Sequence, residues 1–274
     1  MKRILIAALL LAVSQFSGVV PCAAGTPYMD LTIESISSGG NFNPLYRVSG
    51  SQVSLDIQNN SFQNDVFAKY SITGSLFGRP LGFGNSIQND TFGGTSSVIV
   101  DADGFYAKFS KQSGWPELRV ETRVDPNSDP RAVVLFSVLA NYLPTIPGAS
   151  SSGGAQPSQS FSLRQFGDSV LVEGAGLSGL RVDRSQGQNY SYTVRGSGFG
   201  KNFDGADRLV LELDNAFLGA GGLRIRGCGM DLEIKKDDFG GPRLSVRGTA
   251  GDSSAVAAFS MSLARYLNGA NRTR

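Results

Sequence analysis

The sequence predicts a mainly β protein of two tandem, duplicated antiparallel β units, each closed by a buried apolar C-terminal helix. Three observations carry this. Short segments alternate apolar and polar residues, the pattern of strands with one buried and one wet face. The stretch AVVLFSVLANYL, Ala132 to Leu143, returns as AVAAFSMSLARYL, Ala255 to Leu267, each a helix-length run with almost no polar face. Other blocks repeat in the same order. YSITGSLFGR (Tyr70 to Arg79) returns as YTVRGSGFGK (Tyr192 to Lys201), and Pro116-x-Leu118-x-Val120 as Pro242-x-Leu244-x-Val246. Arg47-x-x-Gly50-x-x-Val53-x-Leu55 returns as Arg164-x-x-Gly167-x-x-Val170-x-Val172. Ordered matches with drifting offsets are what a duplication leaves when insertions fall in loops.

Taken in order, residues 1–24 have the parts of a secretory signal peptide. Lys2 and Arg3 give the positive start, Ile4 to Val13 the apolar run, and Cys22-Ala23-Ala24 the small residues before cleavage. The expected location is therefore extracytoplasmic, periplasmic or secreted. Lipid attachment at Cys22 would want a small residue before the cysteine, and Pro21 stands there. Residues 25–143 form the first unit. Its alternating segments are Gln52 to Ile57, Phe67 to Ile72, Ser97 to Val100, Phe105 to Phe109 and Leu118 to Val124. Asp101-Ala102-Asp103-Gly104 reads as a hairpin turn. Asp129-Pro130 puts a capping residue before a proline, the start of a helix.

Residues 144–159 are rich in Pro, Ser and Gly and read as a flexible linker. Residues 160–267 form the second unit. Its strands are Ser169 to Val172, Tyr190 to Val194, Leu209 to Leu213, Leu223 to Ile225, Leu232 to Ile234 and Leu244 to Val246; Ser253 and Ser254 offer helix caps. Residues 268–274 are a polar tail. A helix apolar on all sides is surrounded by protein or lipid. At about 18 Å each helix is too short for a bilayer. Each is therefore expected to plug its own curled sheet, with a helix covering one sheet face as the other arrangement. No transmembrane span is expected; peripheral membrane contact stays open.

The motif order resembles the C-terminal half of the tubby-like superfamily, the LURP-one and scramblase-type barrels. The matching residues are YSITG (Tyr70 to Gly74), VDADGFYAKFSK (Val100 to Lys111), LRVET (Leu118 to Thr122) and DPRAVVLFSVLANYL (Asp129 to Leu143). The resemblance implies an antiparallel β-barrel around a hydrophobic helix. In the second unit Arg226-Gly227-Cys228-Gly229 replaces the Asp-Gly turn.

The chain has no histidine. That removes the commonest general base and the Ser-His and Cys-His pairs. Signal cleavage leaves one cysteine, Cys228, so an intramolecular disulfide is excluded. Cys228 as a nucleophile would need Lys235 or Lys236 as base; a small residue at a glycine-rich turn is the plainer reading. Asp101-x-Asp103-Gly104 echoes a calcium loop but lacks the distal Glu, and Gly196 to Lys201 echoes a phosphate loop but continues with Asn202 where Ser or Thr is needed. No metal or cofactor is expected.

The cation shared by both copies of that turn, Arg79 and Lys201, is the candidate ligand contact, for an anion. Phe77, Phe109 and Phe136, with Phe199, Ile234 and Phe259, would line a pocket between sheet and helix or fill two cores. Residues 25–143 carry 8 Lys and Arg against 11 Asp and Glu, residues 160–274 carry 15 against 12, and no basic cluster suits nucleic acid. The function expected is a non-enzymatic binding protein for a small apolar or anionic ligand, a lipid or a protein partner. A hydrolase using carboxylates or lysine is one alternative, and a structural envelope-assembly subunit is another.

Overall fold

The computed structural model describes residues 28–36, 45–60, 68–92, 95–125, 127–143, 159–185, 190–214, 222–237 and 243–271. The signal peptide and nearly all of the linker lie outside them. The first half of the chain gives β1 (Tyr28–Ile36), β2 (Leu45–Gly50), β3 (Val53–Asn59), β4 (Ala68–Leu76), β5 (Arg79–Pro80) and β6 (Ser86–Phe92). Then come β7 (Thr95–Ala102), β8 (Phe105–Gln112), β9 (Glu117–Val124) and helix α1 (Pro130–Tyr142). The second half gives β10 (Gln159–Phe166), β11 (Ser169–Gly174), β12 (Ser178–Ser185), β13 (Tyr190–Gly198), β14 (Lys201–Asn202) and β15 (Val210–Leu213). It ends with β16 (Gly222–Gly227), β17 (Met230–Asp237), β18 (Arg243–Ala250) and α2 (Ser254–Asn271), which carries the helix four residues into the expected polar tail.

The strands form one closed antiparallel barrel of 16 strands. Each pairs with its sequence neighbour, and β18 closes the ring on β1. The short β5 and β14 lie outside the ring, folded back along β4 and β13. The halves join directly where β10 pairs with β9. The expected two separate curled sheets are thus one wall. The physical reason is edge satisfaction: β1, β9, β10 and β18 would each be an open edge in a separate unit, and full closure removes all of them.

Alternation places the core. In β3, Val53, Leu55 and Ile57 point inward, while Ser54, Asp56 and Gln58 point out. Outward positions carry cross-strand ion pairs such as Arg47–Asp56, Arg247–Asp30 and Arg224–Asp231. This is the reverse of a membrane barrel, whose outer band is apolar. Among the described residues no helix is long and apolar enough to cross a membrane.

A wall of this many strands encloses more space than its own side chains can fill. The two helices fill it, which explains why they have no polar face. In α1 every residue from Ala132 to Ala140 is buried. Asp129 caps it, accepting from the Arg131 amide, and Ser253 caps α2 by accepting from the Val256 amide at 3.3 Å. The helices run parallel and touch along their length. Ser254 Oγ donates to the Ser128 carbonyl at one end (2.6 Å), and Arg265 donates to the Ala140 carbonyl (3.1 Å) and Asn141 Oδ1 near the other. Buried Ser260 and Ser262 donate back to the carbonyls four residues earlier, so their hydroxyls do not need water.

Both helices start at the same end of the barrel, here the near end. At this end successive strands approach closely at glycines. A Cβ on Gly74 would sit 2.1 Å from the Ser54 carbonyl oxygen, and one on Gly227 1.9 Å from that of Arg208. Both hold φ above +100°, so only glycine fits.

Candidate functional site

The structure carries an open groove of about 1100 Å³ on the outer face of β11, β12 and β13, at the near end. It arises from an irregularity in pairing. The β11–β12 ladder stops at Leu171↔Arg181. The β12–β13 register shifts between Ser178 and Arg181. The chain between bends through a turn in which the Leu177 amide donates to the Gly174 carbonyl at 3.3 Å. The hairpin β2–β3 shows the regular alternative, paired down to Gly50↔Val53 with only two turn residues.

Glycine makes the floor. Gly179 and Gly196 both have positive φ, and their backbones lie so close that a Cβ on Gly196 would meet the Gly179 carbonyl oxygen at 2.4 Å. Glu173 on β11 stands on one side. The opposite wall is the β14 flap. Phe199-Gly200 turns the chain back, buried Phe203 anchors it, and Asp204 Oδ1 accepts from the Gly196 amide at 3.2 Å. Asn202 and Asp204 face the groove from there.

Arg181 and Arg195 form its head. Their Nε atoms lie 3.3 Å and 3.2 Å from one oxygen of Asp183. The other oxygen of Asp183 accepts from Ser169 Oγ at 2.8 Å. Glu173 lies 3.5 Å from Arg164, with both side chains about half exposed. A catalytic acid needs a carboxyl shielded from water; Glu173 and Asp204 are open to it.

Of the expected contacts, Arg79 on β5 pairs with Asp103, and Lys201 on β14 lies 3.4 Å from Asp252. The structure keeps them on separate flaps, in different halves of the ring. Burial pushes the Asp103 carboxyl up, against the pull of Arg79. Beside it, Arg131 pairs with Asp129 and lies 3.9 Å over the Phe77 ring. Lys201 does adjoin the groove, one residue before Asn202. In the Asp101-x-Asp103-Gly104 segment, Asp101 and Ala102 end β7 and only Asp103-Gly104 form the two-residue turn to β8.

Phe109, Phe136, Ile234 and Phe259 are buried, with Phe77 and Phe199 packed against the same core. Phe259 stacks on Phe199 at 4.7 Å and meets Phe161 edge-on at 5.9 Å. Phe199 and Phe259 pack on each other and on Phe161, and the Phe109 ring lies 5.1 Å from the Arg265 guanidinium. Cys228 is buried, and its thiol is pushed up by burial and by Asp207, with Lys201 opposing. It stays protonated at neutral pH, in line with the structural reading. Sequence reasoning missed Arg181 and Arg195. Strand β12 has only Leu180 and Val182 as a buried pair, and the meeting of the two arginines depends on register.

No family model matches the chain, and no curated protein or solved structure matches it.

Proposed function

We propose that the protein is an extracytoplasmic, non-enzymatic binding protein that takes its ligand in the outer groove of β11–β13. The observation that carries this is the break in pairing at Leu171↔Arg181. It opens a recess in a wall whose lumen is filled by two helices. Lumenal side chains are committed to packing, so recognition falls to the outer face. The open setting of Glu173 and Asp204 favours binding over hydrolysis.

The scaffold is read as a duplication. Strands β1–β9 with α1 and strands β10–β18 with α2 follow the same order, each with a flap after its fourth strand. The Tyr70 and Tyr192 blocks occupy matching strands, as do the Pro116 and Pro242 blocks. The Arg47 and Arg164 blocks do not: Gly50↔Val53 lies at the near end and the Phe166↔Ser169 hairpin at the far end. An antiparallel wall around apolar helices is also the plan that the tubby-like resemblance implies.

Ser197→Trp would fill the groove from an exposed position on β13. Native mass spectrometry of protein purified from its own host should show a retained molecule on the wild type and none on the variant. Equal retention by both, or none by either, would overturn the assignment.

A further inference from the structure

Cross-strand neighbours on the barrel's outer face obey a rule with one exception. Among the described pairs, wherever two charged residues stand directly opposite, their signs differ. Examples are Asp30↔Arg247, Glu34↔Arg243, Arg47↔Asp56, Lys108↔Glu121, Glu212↔Arg224 and Arg226↔Asp231. The exception is Arg181↔Arg195, at the head of the groove. Like charges directly opposite are destabilising in a sheet. Asp183 relieves this only in part: the nearest approach of both guanidiniums is to one and the same oxygen of a single carboxylate. A guanidinium has five N–H donors in a planar fork suited to a carboxylate. Both side chains are about half exposed, so those forks are open to a ligand.

The rest of the lining restricts what that ligand is. Glu173 and Asp204 stand on opposite walls, and an ionised carboxylate only accepts hydrogen bonds. Ser178, Ser197 and Asn202 add neutral polar groups, and the partly exposed Leu171 and Leu177 give an apolar strip on which the non-polar face of a sugar ring can rest. The lining holds no aromatic ring on which a nucleobase would stack. The complement is a molecule with one anionic group at one end and many hydroxyl donors along its length. An acidic peptide fits less well, because it would set further carboxylates and carbonyls against Glu173 and Asp204.

Building on the groove as the binding site, we infer that its ligand is an acidic oligosaccharide, with a uronate carboxylate bridging Arg181 and Arg195. Its hydroxyls donate to Glu173 and Asp204, and the glycine floor lets a sugar ring lie against backbone.

Isothermal titration calorimetry with three probes tests this: tetragalacturonate, neutral cellotetraose and a tetraglutamate peptide. Tetragalacturonate should bind the wild type. Arg195→Gln and Arg181→Gln should each weaken it roughly ten- to hundredfold, the worth of a charge-assisted contact. Each variant should melt no lower than the wild type, since each removes a like-charge opposition. Equal or tighter binding of cellotetraose overturns the acidic part of the assignment, equal or tighter binding of tetraglutamate overturns the saccharide part, and either leaves the groove as a binding site. So does tetragalacturonate binding that both variants retain. No heat with any probe also overturns it, while the Ser197→Trp retention experiment judges the groove separately.

Discussion

Phe259→Ala tests whether the barrel and its helices are one cooperative body. Phe259 is fully buried on α2 and contacts three rings, Phe199, Phe161 and Phe203, at centroid distances of 4.7, 5.9 and 6.0 Å. Truncating a core phenylalanine costs about 3–5 kcal/mol. The aromatic contacts place this one toward the upper part, about 4 kcal/mol. With a urea m-value of about 3 kcal/mol/M, the midpoint should fall by about 1.3 M. The assay is equilibrium urea unfolding followed by far-ultraviolet circular dichroism and by tryptophan fluorescence. The chain has one tryptophan, Trp115, and it lies in the other half, between β8 and β9. A continuous wall with touching helices requires both signals to move together. A Trp115 midpoint that stays put while the dichroism shifts would mean the halves unfold separately. A common shift below about 1 kcal/mol would mean that α2 is no core plug.

Two further outcomes follow from local geometry. Gly227→Ala should destabilise by more than about 3 kcal/mol, because its Cβ would meet the Arg208 carbonyl at 1.9 Å with φ at +106°. Gly82→Ala, with nothing within 4 Å, should stay within about 0.5 kcal/mol in the same urea assay. Alkaline pH should unfold the protein through its buried phenols. Tyr46, Tyr70 and Tyr142 pack edge to face, burial raises all three, and Tyr142 is pushed up to about 12. The folded state holds these phenols neutral above the unfolded value near 10, so the stabilisation is whole below pH 10 and lost as pH rises toward 12. Tyr142, only partly buried, should contribute about 2 kcal/mol, somewhat below the roughly 2.7 kcal/mol of a full two-unit shift because solvent screens it, read from stability curves at pH 9 to 12 beside phenolate absorbance.

Sequence carried the elements whose chemistry is local. The helices were legible because a run such as Ala132 to Ala140 has no polar residue except Ser137, and because Asp129-Pro130 is a capping signature. Strands with three or more inward apolar residues, such as β3 and β9, were also legible. Strands β1 and β10 alternate by the same rule, at Met29-Leu31-Ile33 and Phe161-Leu163, but they follow directly on the expected signal peptide and linker and are not among the expected strands. Strand β6 turns Ile87 and the polar Asn89 inward and also buries Ser86 on its other face, which hides its period. Closure was illegible for another reason: nothing in β9 or β10 says that its partner lies across the linker. The groove depends on the same kind of information. Arg181 and Arg195 are ordinary surface arginines until the register sets them opposite each other.

The seam between β1 and β18 also dictates when the molecule can form. Its ion pairs, Arg247–Asp30 and Arg243–Glu34, join residues 217 and 209 positions apart. Such contacts repay the entropy of loop closure late, so the fold belongs among slow, high-contact-order chains. At ribosomal rates of about 5–20 residues per second, β1 waits roughly 10–45 s for the strand that covers it. Throughout that interval its free backbone edge is a template for mispairing. Because α2 follows β18 in the chain, the second helix emerges only after the last wall strand. The nascent barrel is therefore one whose edge and interior both stay open until β18 and α2 have emerged, and a chain cut before Ser254 should be an aggregation-prone species rather than a smaller version of the protein.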